Sequence, residues 1–78
     1  MRESTDYCIF TFHTTMEAIA FEKTCKEEKV DGRLIPVPRQ ISAGCGLAWR
    51  ANPEQELVLC RMAEEHELQY AAVGIYKI

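Results

Sequence analysis

The sequence predicts an α+β fold, a ferredoxin-like sandwich in which two helices cover one face of a four-stranded antiparallel sheet. Four segments are rich in β-branched and aromatic residues, and two longer segments carry apolar residues at helical spacing. Their order along the chain is β-α-β-β-α-β. With 78 residues, the chain has room for a single core, so we expect one domain over residues 1–78.

The first strand and the first helix follow each other directly near the start of the chain. "DYCIFTFHT", residues 6–14, alternates between two sets of side chains and predicts a strand. Thr14 and Glu17 have the spacing of a capping box, in which each side chain accepts a hydrogen bond from a free N–H of the first helical turn. The helix is predicted to run to about Lys29. Its apolar stripe consists of Ala18, Phe21 and Cys25, widened near the start by Met16, Ile19 and Ala20.

Two short strands are predicted in the middle of the chain. Asp31-Gly32 forms a turn, and "RLIPVP", residues 33–38, forms a second strand. Its prolines cannot donate ladder hydrogen bonds, so this strand should lie at a sheet edge or leave the sheet early. "GLAWRAN", residues 46–52, forms the third strand.

The second helix is predicted to start at Pro53, with Asn52 as its cap, and to run to about Glu67. "LQYAAVGIYKI", residues 68–78, then closes the chain as the fourth strand. The helix residues expected to face the sheet are Leu59, Met62, Ala63 and His66, with Val58 beside them, and the last strand offers Val73, Ile75 and Ile78 for burial.

Charge and hydropathy exclude several classes of function. The net charge is −3 with a pI near 5.3, and no run of lysines or arginines offers a surface for a phosphate backbone, so we expect no nucleic-acid partner. No apolar run approaches the roughly 18 residues of a membrane span, and the first residues lack a signal-peptide pattern. We therefore expect a cytoplasmic protein with no membrane partner.

The four cysteines are predicted to be thiols, because a disulfide scaffold requires an oxidising compartment. None of them is spaced as C-x-x-C, so the usual zinc, dithiol and iron–sulfur patterns are missing, and we expect no metal and no cofactor. Cys8, Cys25 and Cys60 lie in predicted strands or helices and are interpreted as packing residues. A zinc site built from Cys8, His13, Cys45, Cys60 and His66 is a minor alternative without support from spacing.

The segment "SAGCG" places Cys45 between Gly44 and Gly46, in a loop rather than in a regular element. The two glycines permit positive φ and remove side-chain bulk, so a reacting partner could approach the sulfur closely. A thiolate is the nucleophilic form of cysteine, which makes Cys45 the candidate reactive residue. The alternative is that the segment is a tight turn holding a small, inert cysteine.

Residues around Cys45 could assist its chemistry. Arg39 and Arg50 could supply positive charge to a thiolate. Pro36 and Pro38 would stiffen the approach to the loop and reduce the entropy lost on docking. Ser42 either caps the turn or donates a hydrogen bond to a sulfur anion.

The run "RLIPVPRQISAGCGLAWR", residues 33–50, resembles the signature of the selenium/sulfur carrier-like proteins, small proteins of bacteria and archaea. The specific part is Pro-x-Pro-Arg, then Ile-Ser, then Gly-Cys-Gly, and the similarity extends over nearly the whole chain. The resemblance implies that Cys45 is the carrier cysteine. It also implies that Gly44 and Gly46 flank it and that the supporting segment consists of Pro36, Pro38, Arg39 and Ser42.

The resemblance leads to the hypothesis of a sulfur or selenium carrier, an accessory protein rather than a stand-alone enzyme. Cys45 would accept a persulfide or selenopersulfide from a cysteine desulfurase or selenocysteine lyase and pass it to an acceptor enzyme that the sequence does not identify. The alternative is a regulatory module that binds a small ligand or a protein through Gly44, Cys45 and Gly46 without covalent chemistry. A thiol reductase ranks third, because no second cysteine lies near Cys45 in sequence. The sequence does not decide whether the chain forms a homodimer through an edge strand.

Overall fold

The computed structural model describes residues 6–41 and 45–77. Within these residues, strands and helices occur in the predicted order. The elements are β1 (Asp6–Thr11), α1 (Thr15–Glu27), β2 (Arg33–Pro36), β3 (Leu47–Ala51), a 3-10 turn (Pro53–Gln55), α2 (Glu56–Glu65) and β4 (Ala72–Lys77).

The four strands form one sheet in the order β2-β3-β1-β4, with every neighbouring pair antiparallel. This confirms the predicted α+β class and is the order of a ferredoxin-like sandwich. β2 is an edge strand that ends at Pro36, as its prolines predicted. β1 and β3 lie in the centre and supply most of the buried side chains of the sheet.

One face of the sheet packs against both helices. Phe10 of β1 lies at the middle of this core, with its ring centroid 4.9 Å from that of Phe21 on α1. The aromatic ring of Tyr70, from the segment before β4, packs edge-on against Phe10 at 5.0 Å. The buried members of this core are Cys8, Phe10, Phe12, Ala18, Phe21, Cys25, Trp49, Ala51, Leu59, Met62 and Ala63.

The opposite face of the sheet, called here the open face, is also buried at its centre. Ile9 of β1 and Ala48 of β3 are both 0 % exposed. They are covered by Ile41, which belongs to the connection between β2 and β3. We call this connection, residues 37–46, the β2–β3 loop. The periodic patterns of the sequence predict no cover for this face, and Ile41 of the loop supplies it.

The capping box at the start of α1 is present in a modified form. The backbone N–H of Glu17 donates to the Thr14 hydroxyl oxygen at 3.2 Å, as predicted. The Glu17 carboxylate accepts from the backbone N–H of His13 at 2.8 Å, one residue before the position expected. This bond from the His13 backbone lowers the pKa of Glu17 below its usual value. The carboxylate thus fixes the turn that joins β1 to α1.

Several apolar residues expected to be buried are exposed. Ala18, Phe21 and Cys25 do face the sheet, but Met16 and Ile19 are exposed. Successive helical residues are rotated by about 100°, so Met16 lies roughly 200° from Ala18 and points away from the core. Ala20 and Val58, which were expected to widen the apolar faces of the two helices, are exposed as well. His66, expected to face the sheet, is exposed and pairs with Glu28.

The last strand is shorter than predicted, and its burial differs from the prediction. β4 begins at Ala72 rather than at residue 68, and Ile78 lies outside the described residues. Val73 packs against the helix-side core, whereas Ile75 is 44 % exposed. β4 is an edge strand with a neighbour on one side only, which leaves its outer side chains uncovered.

Both helices end with a residue in the left-handed region that is not glycine. Lys29 has φ 59° and Glu67 has φ 55°. In each case the next residue donates its N–H to a carbonyl five residues earlier, Val30 to Cys25 and Leu68 to Ala63. This is the bonding of a Schellman motif, in which glycine normally occupies the left-handed position.

The boundaries of α2 differ from the prediction by a few residues. Pro53 begins a 3-10 turn instead of the α-helix, and the side chain of Asn52 makes no capping hydrogen bond. α2 itself ends at Glu65 rather than near Glu67. Its end meets the end of α1, where His66 Nε2 lies 3.2 Å from the Glu28 carboxylate. In the described residues no helix combines the length and apolar character needed to cross a bilayer.

We expect Lys29→Gly to raise the free energy of unfolding by about 1 kcal/mol, because glycine adopts positive φ without the clash of a Cβ. Lys23→Gly, at an exposed position inside α1, is the matched control and should lower it by about 1 kcal/mol. Chemical denaturation of both variants measures the difference. A loss of stability in Lys29→Gly would contradict the assignment of strain to this position.

Candidate functional site

The β2–β3 loop is closed at its base by a backbone hydrogen bond. The N–H of Val37 donates to the carbonyl of Gly46 at 2.9 Å, directly beyond the last β2–β3 pair, Pro36 with Leu47. Within the loop, the N–H of Ile41 donates to the carbonyl of Pro38 at 2.9 Å. The loop is therefore closed at its base, and its described first part contains a turn that starts at Pro38.

The loop lies across the open face of the sheet. Ile41 is 9 % exposed and packs on Ile9 and Ala48, with Val37 beside it. The Gln40 side chain reaches as far as β4, where its amide donates to the Lys77 carbonyl at 3.3 Å. These contacts and the bond at its base thus fix the position of the loop's described residues.

Cys45 lies at the end of the sheet where β1 finishes and β3 begins. Its backbone N–H donates to the carbonyl of Phe12 at 3.3 Å, beside the chain that leads into α1. Its side chain is half-buried and packs against the helix-side core. The thiol makes a long, weak contact, donating to the Leu47 carbonyl with a sulfur–oxygen distance of 4.0 Å. The sulfur is thus held at a boundary between core and solvent.

Gly46 follows Cys45 in a backbone conformation that favours glycine. Its φ is 86°, and an added Cβ would meet no atom within 4 Å. Glycine is therefore favoured here by the backbone conformation and not by crowding, and the space beside Gly46 itself is open. Gly44 and Ser42, which the sequence analysis also placed in the site, lie outside the described residues.

The two arginines of the predicted site have different surroundings from those expected. Arg50 lies three residues beyond Leu47 along β3, about 10 Å further from Cys45. It lies on the open face, and its guanidinium carbon is 4.6 Å from the ring centroid of Tyr7. Arg39 is exposed on the β2–β3 loop. Among the described contacts, no hydrogen bond joins either arginine to Cys45.

The other cysteines have packing roles, as predicted, and all four in the described chain are free thiols. Cys8 and Cys25 are fully buried, and burial raises the pKa of each to about 12. Cys60 is half-buried and lies near Tyr70. The pKa of Tyr70 is raised, mainly by burial and to a smaller extent by Cys60. Cys8 precedes Phe12 by four residues, about 13 Å of extended chain, so it is not a close neighbour of Cys45.

The histidines pair with glutamates. His13 Nδ1 lies 3.2 Å from the Glu17 carboxylate, and His66 pairs with Glu28 across the helix ends. In the described part of the chain, His, Cys, Asp and Glu form no group of three or more that could hold a metal ion. The minor zinc alternative, which used both histidines, gains no geometric support.

Residues 7–76 match the model of the family described as "Putative Se/S carrier protein-like". The chain belongs to this family. The match covers both helices, all of the β2–β3 loop and Cys45. Every residue of the candidate site therefore lies within the matched range. No curated protein and no solved structure matched the chain.

Sequence reasoning missed the two residues that hold the loop in place, Ile41 and Gln40. The helical and strand periods give no information inside a loop, so neither residue was assigned a role. One signal was available for Ile41. It is the single large apolar side chain between Val37 and Leu47, and an isolated hydrophobe in a polar loop often marks an anchor to a core.

Native alkylation should distinguish the four cysteines. We expect iodoacetamide to modify Cys45 and Cys60, which are half-buried, while Cys8 and Cys25 react only after unfolding because they are buried and kept protonated. Peptide mass spectrometry after a timed reaction gives the rates. Modification of Cys25 as fast as Cys45 in folded protein would contradict this placement.

Ile41→Ala should lower the free energy of unfolding by about 2 kcal/mol, because it removes most of a buried side chain from the open face. It should also increase the alkylation rate of Cys45, since the loop loses its central anchor. Ile19→Ala, at an exposed position on α1, is the matched control and should stay within about 0.5 kcal/mol of the native protein. Equal stabilities of the two variants would show that Ile41 does not anchor the loop.

Proposed function

We propose that Cys45 carries sulfane sulfur, or selenium at the same oxidation level, between two enzymes. The observation that carries this proposal is the position of Cys45, half-buried on an anchored loop with open space beside Gly46. The family description, selenium/sulfur carrier-like, points to the same chemistry. A carrier needs a reachable sulfur and a docking surface, and the donor and acceptor enzymes supply the rest.

The transfer is an exchange at sulfur without net oxidation. The Cys45 thiolate attacks the terminal sulfur of a persulfide on the donor, a pyridoxal-phosphate-dependent cysteine desulfurase or selenocysteine lyase. A new S–S bond forms on Cys45, the S–S bond of the donor breaks, and the donor cysteine leaves as a thiolate. The proton lost from the Cys45 thiol is available to that thiolate. The acceptor then attacks the terminal atom, and Cys45 leaves as a thiolate in turn.

The contacts of Cys45 are compatible with this cycle. The thiol donates only a weak bond to the Leu47 carbonyl, and a persulfide anion, which has no proton to donate, loses little by leaving it. The backbone bond to Phe12 holds the main chain while the side chain turns outward. Arg39, exposed on the same loop, is available to contact an acidic donor surface.

The remaining cysteines favour a single loading position. Cys8 and Cys25 are buried and stay protonated at neutral pH, so neither competes for sulfur. Cys60 is half-buried without a flanking glycine. It therefore provides the matched control for Cys45. A cytoplasmic location completes the proposal, since free thiols persist in that reducing compartment.

The test is to incubate the reduced protein with a cysteine desulfurase and cysteine, and to measure its intact mass. We expect a gain of about one sulfur atom that dithiothreitol reverses, present in the native chain and in Cys60→Ser and absent from Cys45→Ser. A selenocysteine lyase with selenocysteine gives the parallel measurement for selenium.

Two results would contradict the proposal. One is an equal gain on Cys45→Ser, which would place the sulfur elsewhere. The other is no gain with either donor, together with a native chain that still binds the donor. That result would favour the alternative of a binding module in which the thiol is incidental.

A further inference from the structure

A cavity of about 270 Å³ opens at the end of the sheet opposite to Cys45. There β1 and β2 begin and β3 ends, so three strand ends and the turn before β2 surround one space. The cavity is lined by Tyr7, Asp31, Gly32, Arg33, Arg50, Ala51 and Asn52. Its size suits a small molecule or the end group of a larger one.

Two arginines of this cavity stand directly opposite each other on neighbouring strands. Arg33 of β2 pairs with Arg50 of β3 in the antiparallel register. Like charges at such a pair repel and destabilise the sheet unless an anion lies between them. Asp31 also lines the cavity and offsets part of this charge, but among the described residues the ion pairs are two histidine–glutamate pairs, so neither arginine is in direct contact with a described carboxylate.

Arg50 is held in place by an aromatic ring. Its guanidinium carbon lies 4.6 Å from the centroid of Tyr7, a cation–π contact. Among the described residues, no hydrogen bond uses the side-chain N–H donors of Arg50, so they are available to a ligand. Arg50 is half-buried, which strengthens its interaction with an anion relative to a fully hydrated side chain.

The backbone at Gly32, which lines the cavity, is tightly packed. Gly32 has φ 147°, and a Cβ there would lie 2.5 Å from the indole nitrogen of Trp49 and 2.8 Å from the Arg50 carbonyl. The turn before β2 is therefore pressed against β3, and it fixes the start of the strand that carries Arg33. Both arginines are thus supported by packed backbone before any ligand arrives.

We propose that this cavity binds a phosphoryl group, as inorganic phosphate or as a small phosphomonoester. A phosphomonoester carries close to two negative charges at neutral pH, which matches two arginines, and each guanidinium fork can bond two phosphate oxygens. Asn52 and Tyr7, which also line the cavity, are residues whose side chains carry neutral hydrogen-bond donors. The chain as a whole is acidic, with net charge −3, so this local pair of cations selects a compact anion and not a polyanion.

This site is independent of the carrier chemistry proposed for Cys45. The two positions lie at opposite ends of β3, and Arg50 lies on the open face whereas Cys45 packs against the helix-side core. Binding at the cavity therefore requires no reaction at the cysteine.

The test is a titration of the ¹⁵N-labelled protein with inorganic phosphate and, separately, with glycerol 3-phosphate, each against sodium chloride at equal ionic strength. We expect saturable shifts in the backbone amide signals of Arg33, Arg50 and Asn52, with the Cys45 signal unchanged.

Arg33→Gln and Arg50→Gln should each weaken binding at least tenfold. Arg33 is exposed, so its variant keeps the fold even where Arg50→Gln disturbs packing on Tyr7. Arg61→Gln, an exposed arginine on α2, is the matched control and should bind as the native chain does.

The two ligands distinguish the sources of the phosphoryl group. Tighter binding of glycerol 3-phosphate supports a phosphomonoester as the ligand, and equal binding supports the phosphoryl group alone. Shifts that chloride reproduces, or an equal loss in Arg61→Gln, would overturn the proposal. So would unchanged affinity in Arg33→Gln and Arg50→Gln.

Discussion

Strand β1 is apolar on both of its faces, and the rest of the structure depends on covering both. Phe10 and its neighbours on one face require the two helices, as expected for a sheet with a helical layer. Ile9 on the other face is equally buried, although no helix lies there. The β2–β3 loop therefore has to cross that face. The loop returns to the sheet at Cys45, whose backbone N–H donates to the carbonyl of Phe12, so the same loop that buries Ile9 carries Cys45.

Local patterns were sufficient to predict the architecture. The alternation in residues 6–11, the cap at Thr14 and the stripe of Ala18, Phe21 and Cys25 are all short-range signals, and each corresponds to an observed element. These patterns could not predict where the residues outside the periodic segments lie. Ile41 is an example, because its burial depends on a loop folding back over strands that are distant in sequence.

The position of Arg50 shows a second limit. It lies five residues after Cys45 in sequence, which suggested proximity, but the strand between them is extended and alternates its faces. The register that sets Arg50 opposite Arg33 and near Tyr7 depends on pairing between strands, which a single sequence does not reveal. The same number of residues spans a greater distance along a strand than along a helix, where each residue rises only about 1.5 Å. The charge of Arg50 is therefore further from Cys45 than the same separation along a helix would place it.

The closed base of the β2–β3 loop has a kinetic consequence. Val37 is bonded to Gly46, and Ile41 and Gln40 are anchored on the sheet, so the described parts of the loop are held in place. Any reagent or enzyme must bring its own reacting atom to Cys45. Each reaction there begins with a separate diffusional encounter, for which specific protein pairs associate at roughly 10⁵–10⁷ M⁻¹ s⁻¹. The flux through this cysteine would then rise with the concentrations of its partners and not with the motion of its own chain.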